Sequence, residues 1–243
     1  MSTPADQATG SYGRPSRRGA ILVFAKAPRS GLVKTRMSPP LSLDEAAELY
    51  AHMLDDVLVA TAEIAALLDL APVLVVHPGE ACAELADRAP KAYRIIPQRG
   101  RDLAERMTWA MAELASGGIS PILLRGSDSP VLGEEIVRQA VEALESNDLV
   151  LCPDLDGGYN LVGLRSPAAG LFDHPMSTET VLEDTLASAR TLGLRANLLP
   201  PSFDLDTAAD LAELARLRGE STALLCPRTI AYLDERDLWR HLG

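Results

Sequence analysis

Short apolar runs alternate with longer amphipathic segments along most of this chain. The first run, residues 21–25, is apolar without interruption, which is typical of a strand buried on both faces of a sheet. Ser42 and Glu45 have the spacing of a capping box and predict the start of the first helix. Further strands are predicted at 72–76, 93–96, 121–124, 149–152, 158–164 and 195–199. Helices are predicted at 42–68, 79–88, 102–115, 133–146, 178–191, 207–217 and 229–240.

This alternation of strands and helices predicts a single α/β domain. Its sheet is expected to be twisted and mostly parallel, with helices on both faces. The pattern changes after residue 153, where the strand at 158–164 has no long helix before it, so a small antiparallel insertion is expected there. Residues 1–18, with several glycines, prolines and arginines, are expected to form a flexible N-terminal tail, and residues 19–243 the domain.

Composition and charge narrow the classes of partner. The 243 residues include 23 Lys and Arg against 34 Asp and Glu, a net charge of −11 that repels nucleic-acid phosphates, and 4% aromatic residues leave few surfaces for base stacking. The three cysteines are scattered without a C-x-x-C pair, so reduced thiols and a cytoplasmic protein are expected. The most apolar window, 57–76, contains Glu63 and Asp69 and is not expected to span a membrane. We expect neither nucleic acid nor membrane as a partner.

The segment that follows the first predicted strand is unusually basic. Ligands of open parallel sheets bind at the carboxyl ends of the strands, and residues 26–36 gather four cations there in an otherwise acidic chain. Lysine and arginine bind phosphate oxygens, and a glycine permits close backbone approach, although a solvated basic loop is the alternative. A P-loop is excluded because Val33 stands where that motif requires glycine. The candidate phosphate-binding residues are Lys26, Gly31, Lys34, Thr35 and Arg36.

Two further strand ends carry acidic residues. Asp128 follows the apolar run at 121–124 and is a candidate ligand for a divalent cation, since Mg²⁺ takes one or two carboxylates and completes its shell with phosphates and water. Asp204 and Asp206 lie two residues apart, which places both side chains on one face of an extended segment. Asp206 is expected to be the second metal ligand. The alternative for both Asp128 and Asp206 is capping of the helix that follows.

Two loops are expected to surround this centre. The segment 153–160 holds two acids and two glycines beside a tyrosine, which indicates either an ordinary turn or a substrate-binding loop. Its candidate acceptor-binding residues are Asp156, Gly157, Gly158 and Tyr159. Gln98 and Arg106 are candidates for binding a base or a sugar, whereas Asp102 could simply cap a helix. The four histidines are scattered, so no zinc site is expected.

Together, these motifs resemble a bacterial family of GT-A-fold transferases. The family is described as radical-SAM/selenodomain-associated or arsenosugar-biosynthesis transferases. Phospholactate guanylyltransferases and molybdenum-cofactor nucleotidyltransferases are similar at a greater distance. The resemblance spans about residues 20–211 and is carried by Phe24-Ala-Lys-Ala-Pro28, Lys34-Thr-Arg36, Asp102-Leu-Ala-Glu-Arg-Met107, Gly126-Ser-Asp-Ser-Pro130, Asp156-Gly-Gly-Tyr159 and Asp204-Leu-Asp-Thr207.

The resemblance implies a nucleotide-diphospho-sugar transferase fold that uses Mg²⁺ or Mn²⁺. It implies a nucleotide triphosphate or nucleotide-sugar donor and a small-molecule acceptor. By this likeness Lys26, Lys34 and Arg36 fall on the phosphate-binding loop, and Asp128 and Asp206 at the metal. The chain departs from the family pattern where glycine, cysteine and tryptophan are usual, at Ala104, Ser129 and Met176 respectively. The last change bears on acceptor specificity.

The candidate residues leave two reactions open, nucleotidyl transfer and glycosyl transfer. Either reaction releases a phosphate-bearing group, whose charge a metal on Asp128 and Asp206 would stabilise together with Lys34 and Arg36. Glycosyl transfer to a hydroxyl also benefits from a general base, for which Asp156 is the candidate. A non-catalytic module that binds a nucleotide is the alternative to both reactions.

Overall fold

A computed structural model describes residues 18–176, 178–217 and 224–239 as a sheet with helices on both faces. The strands are β1 (Gly19–Lys26), β2 (Leu70–His77), β3 (Arg94–Pro97), β4 (Ile122–Gly126), β5 (Leu149–Pro153), β6 (Tyr159–Leu164) and β7 (Ala196–Leu198). The helices are α1 (Leu43–Leu67), α2 (Cys82–Ala86), α3 (Leu103–Ser116), α4 (Glu134–Ala143), α5 (Val181–Thr191), α6 (Ala208–Leu217) and α7 (Pro227–Glu235). Short 3₁₀ turns occur at Thr35–Met37 and Gly79–Ala81.

The seven strands lie in the order β3-β2-β1-β4-β6-β5-β7. Strand β6 runs antiparallel to β4 and β5, and the other neighbouring strands pair in parallel, which confirms the predicted insertion after residue 153. From β1 the chain winds through β2 to β3 on one side, and then returns to place β4 on the other side of β1. A crevice therefore opens outside the carboxyl ends of β1 and β4, where open α/β sheets bind their ligands.

Buried strands and amphipathic helices hold this sheet together. In β1, all residues but Lys26 are buried, as the uninterrupted apolar run predicts for a central strand. Helices α1 and α2 cover one face of the sheet with α4, and α3 and α5 cover the other. Helix α1 begins at the predicted capping box, in which the Ser42 side chain accepts from Glu45 N and the Glu45 carboxylate accepts from Ser42 N. Helices α6 and α7 pack against the first turns of α1.

All predicted strands and helices occur, but several bounds differ. The helix predicted at 79–88 is a 3₁₀ turn followed by the short helix α2, and the helix predicted at 133–146 ends at Ala143. Helix α7 begins two residues before the predicted 229 and ends at Glu235. No helix in the described parts of the chain is long and apolar enough to cross a membrane. The predicted tail lies, apart from residue 18, outside the described residues.

Candidate functional site

A cavity of about 1000 Å³ lies at the carboxyl ends of the strands. Its walls come from the loops after β1, β3, β4 and β5 and from the segment before α6. Most of the residues expected to bind ligands line it: Lys26, Lys34, Thr35, Arg36, Gln98, Arg106, Asp128, Asp156, Gly158, Tyr159 and Asp206. Gly31 and Gly157 are described but are not among the lining residues.

The centre of the cavity is an ionic cluster of one lysine and two aspartates. The Lys34 ammonium contacts the carboxylate of Asp128 and lies 2.6 Å from Oδ1 of Asp206. Arg36 approaches the other oxygen of Asp206, with a distance of 3.6 Å between Nη1 and Oδ2. Two carboxylates that are 78 residues apart in the chain thus converge on the ammonium of Lys34, and their binding of a metal stays a prediction.

Lys34 is held in an unusual environment for a lysine. Its backbone has a φ of 48° in the left-handed region, and only 3% of its side chain is exposed. Such a conformation in a residue with a side chain is typical of functional sites. Burial lowers the pKa of Lys34, but the charges and hydrogen bonds of Asp128 and Asp206 outweigh burial and raise the pKa above its ordinary value. Lys34 is therefore a permanent positive charge in the crevice.

Tyr50 on α1 supports this centre and was not predicted. Its hydroxyl accepts a hydrogen bond from the backbone N of Lys26 at 3.0 Å and shares another with Oγ of Ser127 at 2.8 Å. The ammonium of Lys34 lies 5.9 Å from the centroid of its ring. Burial, followed by the negative charge of Asp128, raises the pKa of Tyr50 to about 12. In the sequence, Tyr50 is one of several apolar positions on a helix face and carries no signal that distinguishes it from core.

A buried arginine shapes the loop that carries Asp128. Arg125 is the fourth residue of β4 and is completely buried; its guanidinium donates to Oγ1 of Thr61, to the carbonyl of Leu132 and to the carbonyl of Ser129. Oγ of Ser129 donates in turn to the carboxyl group of Asp204. These contacts hold the loop after β4 at Ser129 and Leu132, on the C-terminal side of Asp128. Arg125 is therefore a positioning residue for Asp128.

The loop between β5 and β6 forms the opposite wall. Asp156 lines the cavity, and its Oδ1 accepts from the backbone N of Gly158 at 3.0 Å. Burial and a hydrogen bond with Asp156 raise the pKa of Asp154 to about 7. Gly157 has a φ of +91°, and a Cβ added there would lie 2.1 Å from the carbonyl oxygen of Glu179. Gly157 therefore lets the loop pack against the chain before α5, and its expected contact with the acceptor stays a prediction.

The residues that were predicted to bind ligands near the ends of β1 and β3 make different contacts in the structure. The carboxamide of Gln98 donates to the carbonyl of Val75 at 3.0 Å, and Nε of Arg106 donates to the carbonyl of Gly100 at 3.2 Å, while both side chains line the cavity. Asp102 caps α3 through the backbone N of Glu105. Gly31 is exposed, has a φ of 73° and lies in a turn outside the lining, and its phosphate-binding role stays a prediction.

The alternative role of Asp206 as a helix cap is also excluded. The backbone N–H groups of Asp206 and Thr207 both donate to Oδ2 of Asp210, so Asp210 satisfies the start of α6. The carboxylate of Asp206 is left to face Lys34. No group of three or more His, Cys, Asp and Glu side chains in the described ranges is placed to hold a metal ion. Asp128 and Asp206 are the pair whose convergence on a cation suits a divalent ion that also binds phosphates.

Comparisons with known proteins agree with this fold. A family described as uncharacterised protein conserved in bacteria (DUF2064) matches residues 60–178. The chain is 31% identical over 194 residues to the 2-phospho-L-lactate guanylyltransferase of Methanothermobacter thermautotrophicus, covering 78% of this chain and 81% of that protein. It is 30% identical over 191 residues to the phosphoenolpyruvate guanylyltransferase of Sphaerobacter thermophilus, covering 77% of this chain and 88% of that protein.

A solved structure shows the same fold at similar identity. A protein from Desulfovibrio desulfuricans G20, described as a nucleotide-diphospho-sugar transferase, superposes with a TM-score of 0.77 at 31% identity, covering 90% of this chain and 98% of that one. The expected fold class is therefore confirmed, as is an enzyme that uses a nucleotide-activated substrate. The chain belongs to the family of the 2-phospho-L-lactate and phosphoenolpyruvate guanylyltransferases and is a transferase of the nucleotidyltransferase class.

Proposed function

We propose that this protein transfers a nucleotidyl group from a nucleoside triphosphate to the phosphate of a small-molecule acceptor, with Mg²⁺ or Mn²⁺ as cofactor. The observation that carries this proposal is the convergence of Asp128, Asp206 and Lys34 at the carboxyl ends of β1 and β4. Three charged groups from separate loops meet where an α/β sheet binds nucleotides. The relatedness to guanylyltransferases makes GTP the first donor to test.

In this reaction an oxygen of the acceptor phosphate forms a bond to the α-phosphorus of the donor. The bond from that phosphorus to the oxygen bridging the α- and β-phosphates breaks, and pyrophosphate leaves with the electron pair. Lys34 and Arg36 are placed to bind and neutralise the phosphate oxygens. Lys26 and Arg106 supply further positive charge along the same wall. An acceptor phosphate is already ionised at neutral pH, so this transfer needs no strong general base.

The carboxylates of Asp128 and Asp206 would hold the divalent cation. When bound, such an ion supplies positive charge to the donor phosphates and orients them. Two protein carboxylates are a typical complement for Mg²⁺ when phosphates fill other positions of its shell. Both groups are about one-third exposed, so they are accessible from the cavity. Lys34, which pairs with both in this structure, would then be available to the phosphates.

The first prediction tests the carboxylate of Asp128. Asp128→Asn is expected to lower kcat/KM for pyrophosphate release from GTP on the order of a hundredfold, because a ligand of the charge-stabilising ion is lost. The measurement is pyrophosphate release with Mg²⁺ or Mn²⁺ and a panel of phosphorylated acceptors. Thermal shifts with GTP, in the presence and absence of metal, give donor binding independently of turnover. Asp55→Asn is the matched control, since Asp55 pairs with Arg88 on the outer surface of α1.

Two results would contradict the proposal. One is a D128N protein with full activity, and the other is the absence of any metal-dependent shift with nucleoside triphosphates. Glycosyl transfer, the activity of the arsenosugar-related family that the motifs resemble, would appear as release of a nucleoside diphosphate from a sugar nucleotide. Asp156, beside the carboxyl of Asp154, is the base that such a reaction would use, so Asp156→Asn would abolish it.

A further inference from the structure

The side chain of Asn160 is the feature of the cavity that contacts within the protein do not explain. Asn160 is the second residue of β6, lines the cavity and is 3% exposed. Within the described part of the chain, neither Nδ2 nor Oδ1 of its amide has a hydrogen-bond partner. A buried amide without partners destabilises a fold, so each such group calls for an explanation. A ligand in the cavity that Asn160 lines would supply the missing partners.

The position of Asn160 assigns it to one end of the cavity. Its neighbour Leu161 pairs with Arg125 of β4 and with Cys152 of β5, so Asn160 lies beside the carboxyl ends of those two strands. The described charged residues that line this end are acidic: Asp154, Asp156 and Glu179. The cations Lys26 and Arg106 lie at the other end, near His77 at the end of β2. Burial is the main cause that lowers the pKa of His77, and the charges of Arg106 and Lys26 lower it further.

The two ends therefore suit different ligands. The cationic end beside β1 and β2 suits the phosphates of the donor, and the ion-paired centre at Lys34 lies between the two ends. The end beside β4, β5 and β6 is left for the acceptor. Here a neutral amide and three acidic side chains face the acceptor, without a cation among the described lining residues of the loops that form this end.

We propose that Asn160 is a specificity-determining residue for the acceptor, and that it binds a hydroxyl group of a phosphorylated sugar or polyol. This inference rests on the proposed nucleotidyl transfer and names its acceptor class. A primary amide offers an N–H donor and a carbonyl acceptor, and hydroxyl groups both accept and donate, so they satisfy both atoms of the amide. The phosphate of the same acceptor reaches the ion-paired centre, where the donor is attacked.

Acceptors with a carboxylate, such as those in the names of the related guanylyltransferases, suit this end poorly. A carboxylate accepts hydrogen bonds only, so it would leave Oδ1 of Asn160 without a donor. It would also place a negative charge close to the carboxylates of Asp156 and Glu179. Sites built to bind a hydroxyl reject analogues that lack it, because their own polar groups are then left unpaired.

The test is calorimetric binding of glucose 1-phosphate and of phosphoenolpyruvate to the full chain with Mg²⁺ and a non-hydrolysable GTP analogue. We expect the wild-type protein to bind the sugar phosphate more tightly. In Asn160→Leu, we expect binding of the sugar phosphate to weaken about tenfold or more, with analogue binding unchanged and a Tm equal to or above that of the wild type. Tighter binding of phosphoenolpyruvate by the wild type overturns the proposal, as does a lower Tm of N160L with unchanged sugar-phosphate binding.

Two further variants separate recognition from folding. Asn147→Leu is the matched control, because the Asn147 amide donates to the Ala143 carbonyl at 2.8 Å; it should lower Tm and leave binding unchanged. Glu179→Lys on the exposed wall should strengthen binding of phosphoenolpyruvate severalfold. If binding does not strengthen, the claim that the acidic side chains select against a carboxylate in the acceptor is contradicted. If the wild type does not bind the GTP analogue, the proposed nucleotidyl transfer is refuted instead. Binding of the sugar phosphate alone, compared between the wild type and N160L, would still test the role of Asn160.

Discussion

The carboxyl group of Asp204 lies beside the ion-paired centre without a cation of its own. It accepts a hydrogen bond from Oγ of Ser129, and the backbone N of Asp204 donates to Oδ1 of Asp154 at 3.1 Å. Burial, together with the charges of Asp128, Asp154 and Asp206, raises the pKa of Asp204 to about 8. At neutral pH its carboxyl is therefore protonated, and the site holds an uncharged acid next to its charged ones.

This pKa predicts how Asp204→Asn changes stability. Below about pH 4 the residue is protonated in both the folded and the unfolded chain, so the substitution should change Tm little. As the pH rises from about 4 to about 8, the unfolded chain ionises while the folded one resists, so the wild type loses stability relative to D204N. Thermal unfolding in EDTA across this pH range checks the result, and a gain that is constant with pH would contradict it.

Asp148→Asn provides the opposite case. The backbone N–H of Arg195, followed by the side chains of Arg195 and Arg165, lowers the pKa of Asp148 below its ordinary value. Its ionised form therefore stabilises the fold above the ordinary pKa of an aspartate, and this contribution is lost as the pH falls through the lowered pKa. D148N should consequently lower Tm at neutral pH, where D204N raises it.

At the scale of the element, β6 is the strand on which the acceptor end depends. It is antiparallel to both neighbours and carries Tyr159 and Asn160 to the rim of the cavity. Its centre is tightly packed, because a Cβ added at Gly163 would lie 2.5 Å from Cδ2 of Leu123 and 2.6 Å from Cγ1 of Val150. Glycine is required here by the close approach of side chains from the two neighbouring strands.

Gly163→Ala should consequently lower the free energy of unfolding by about 1–3 kcal/mol, as overpacked cores do. Urea unfolding followed by circular dichroism measures the change. Gly126→Ala is the control on the neighbouring strand β4, since a Cβ there would meet Asp128 N at an ordinary 3.7 Å. Equal losses in the two variants would show that the packing around Gly163 is looser than the structure indicates.

At the scale of the whole molecule, a buried aspartate joins the C-terminal helix to the rest of the domain. Asp56 on α1 is 1% exposed, and its carboxylate accepts from the backbone N and Oγ1 of Thr229, both at 2.8 Å, at the start of α7. Arg228 adds two longer contacts, from its backbone N at 3.2 Å and from Nη1 at 3.3 Å. The positive end of the α7 dipole also favours this anion.

Asp56→Ala should therefore lower the free energy of unfolding by about 1–3 kcal/mol, because buried donors at the start of α7 lose their partner. Hydrogen exchange should accelerate in α7 more than in the central strands. Asp55→Ala, next in the chain and paired with Arg88 near the surface, should change stability by less than about 1 kcal/mol. Similar exchange rates for α7 in the two variants would contradict the role of Asp56 as its anchor.

Much of the fold could be predicted from the chain because hydrophobic periodicity is a local property. The apolar run of β1 and the capping box of α1 determine those elements through burial and backbone hydrogen bonds, whatever surrounds them. The candidate ligand-binding residues followed from one rule, that an open α/β sheet binds its ligands at the carboxyl ends of the strands. Lys34, Asp128 and Asp206 were found in this way.

Tertiary structure alone decided what those side chains meet. No local pattern indicates that Tyr50 would reach Lys26, that Arg125 would be wholly buried, or that Gly157 would pack against Glu179. The unpaired amide of Asn160 emerges only once β6 lies between β4 and β5. The physical reason is that local patterns determine whether a residue lies on a buried face, whereas its partners depend on the packing of segments that are distant in the chain.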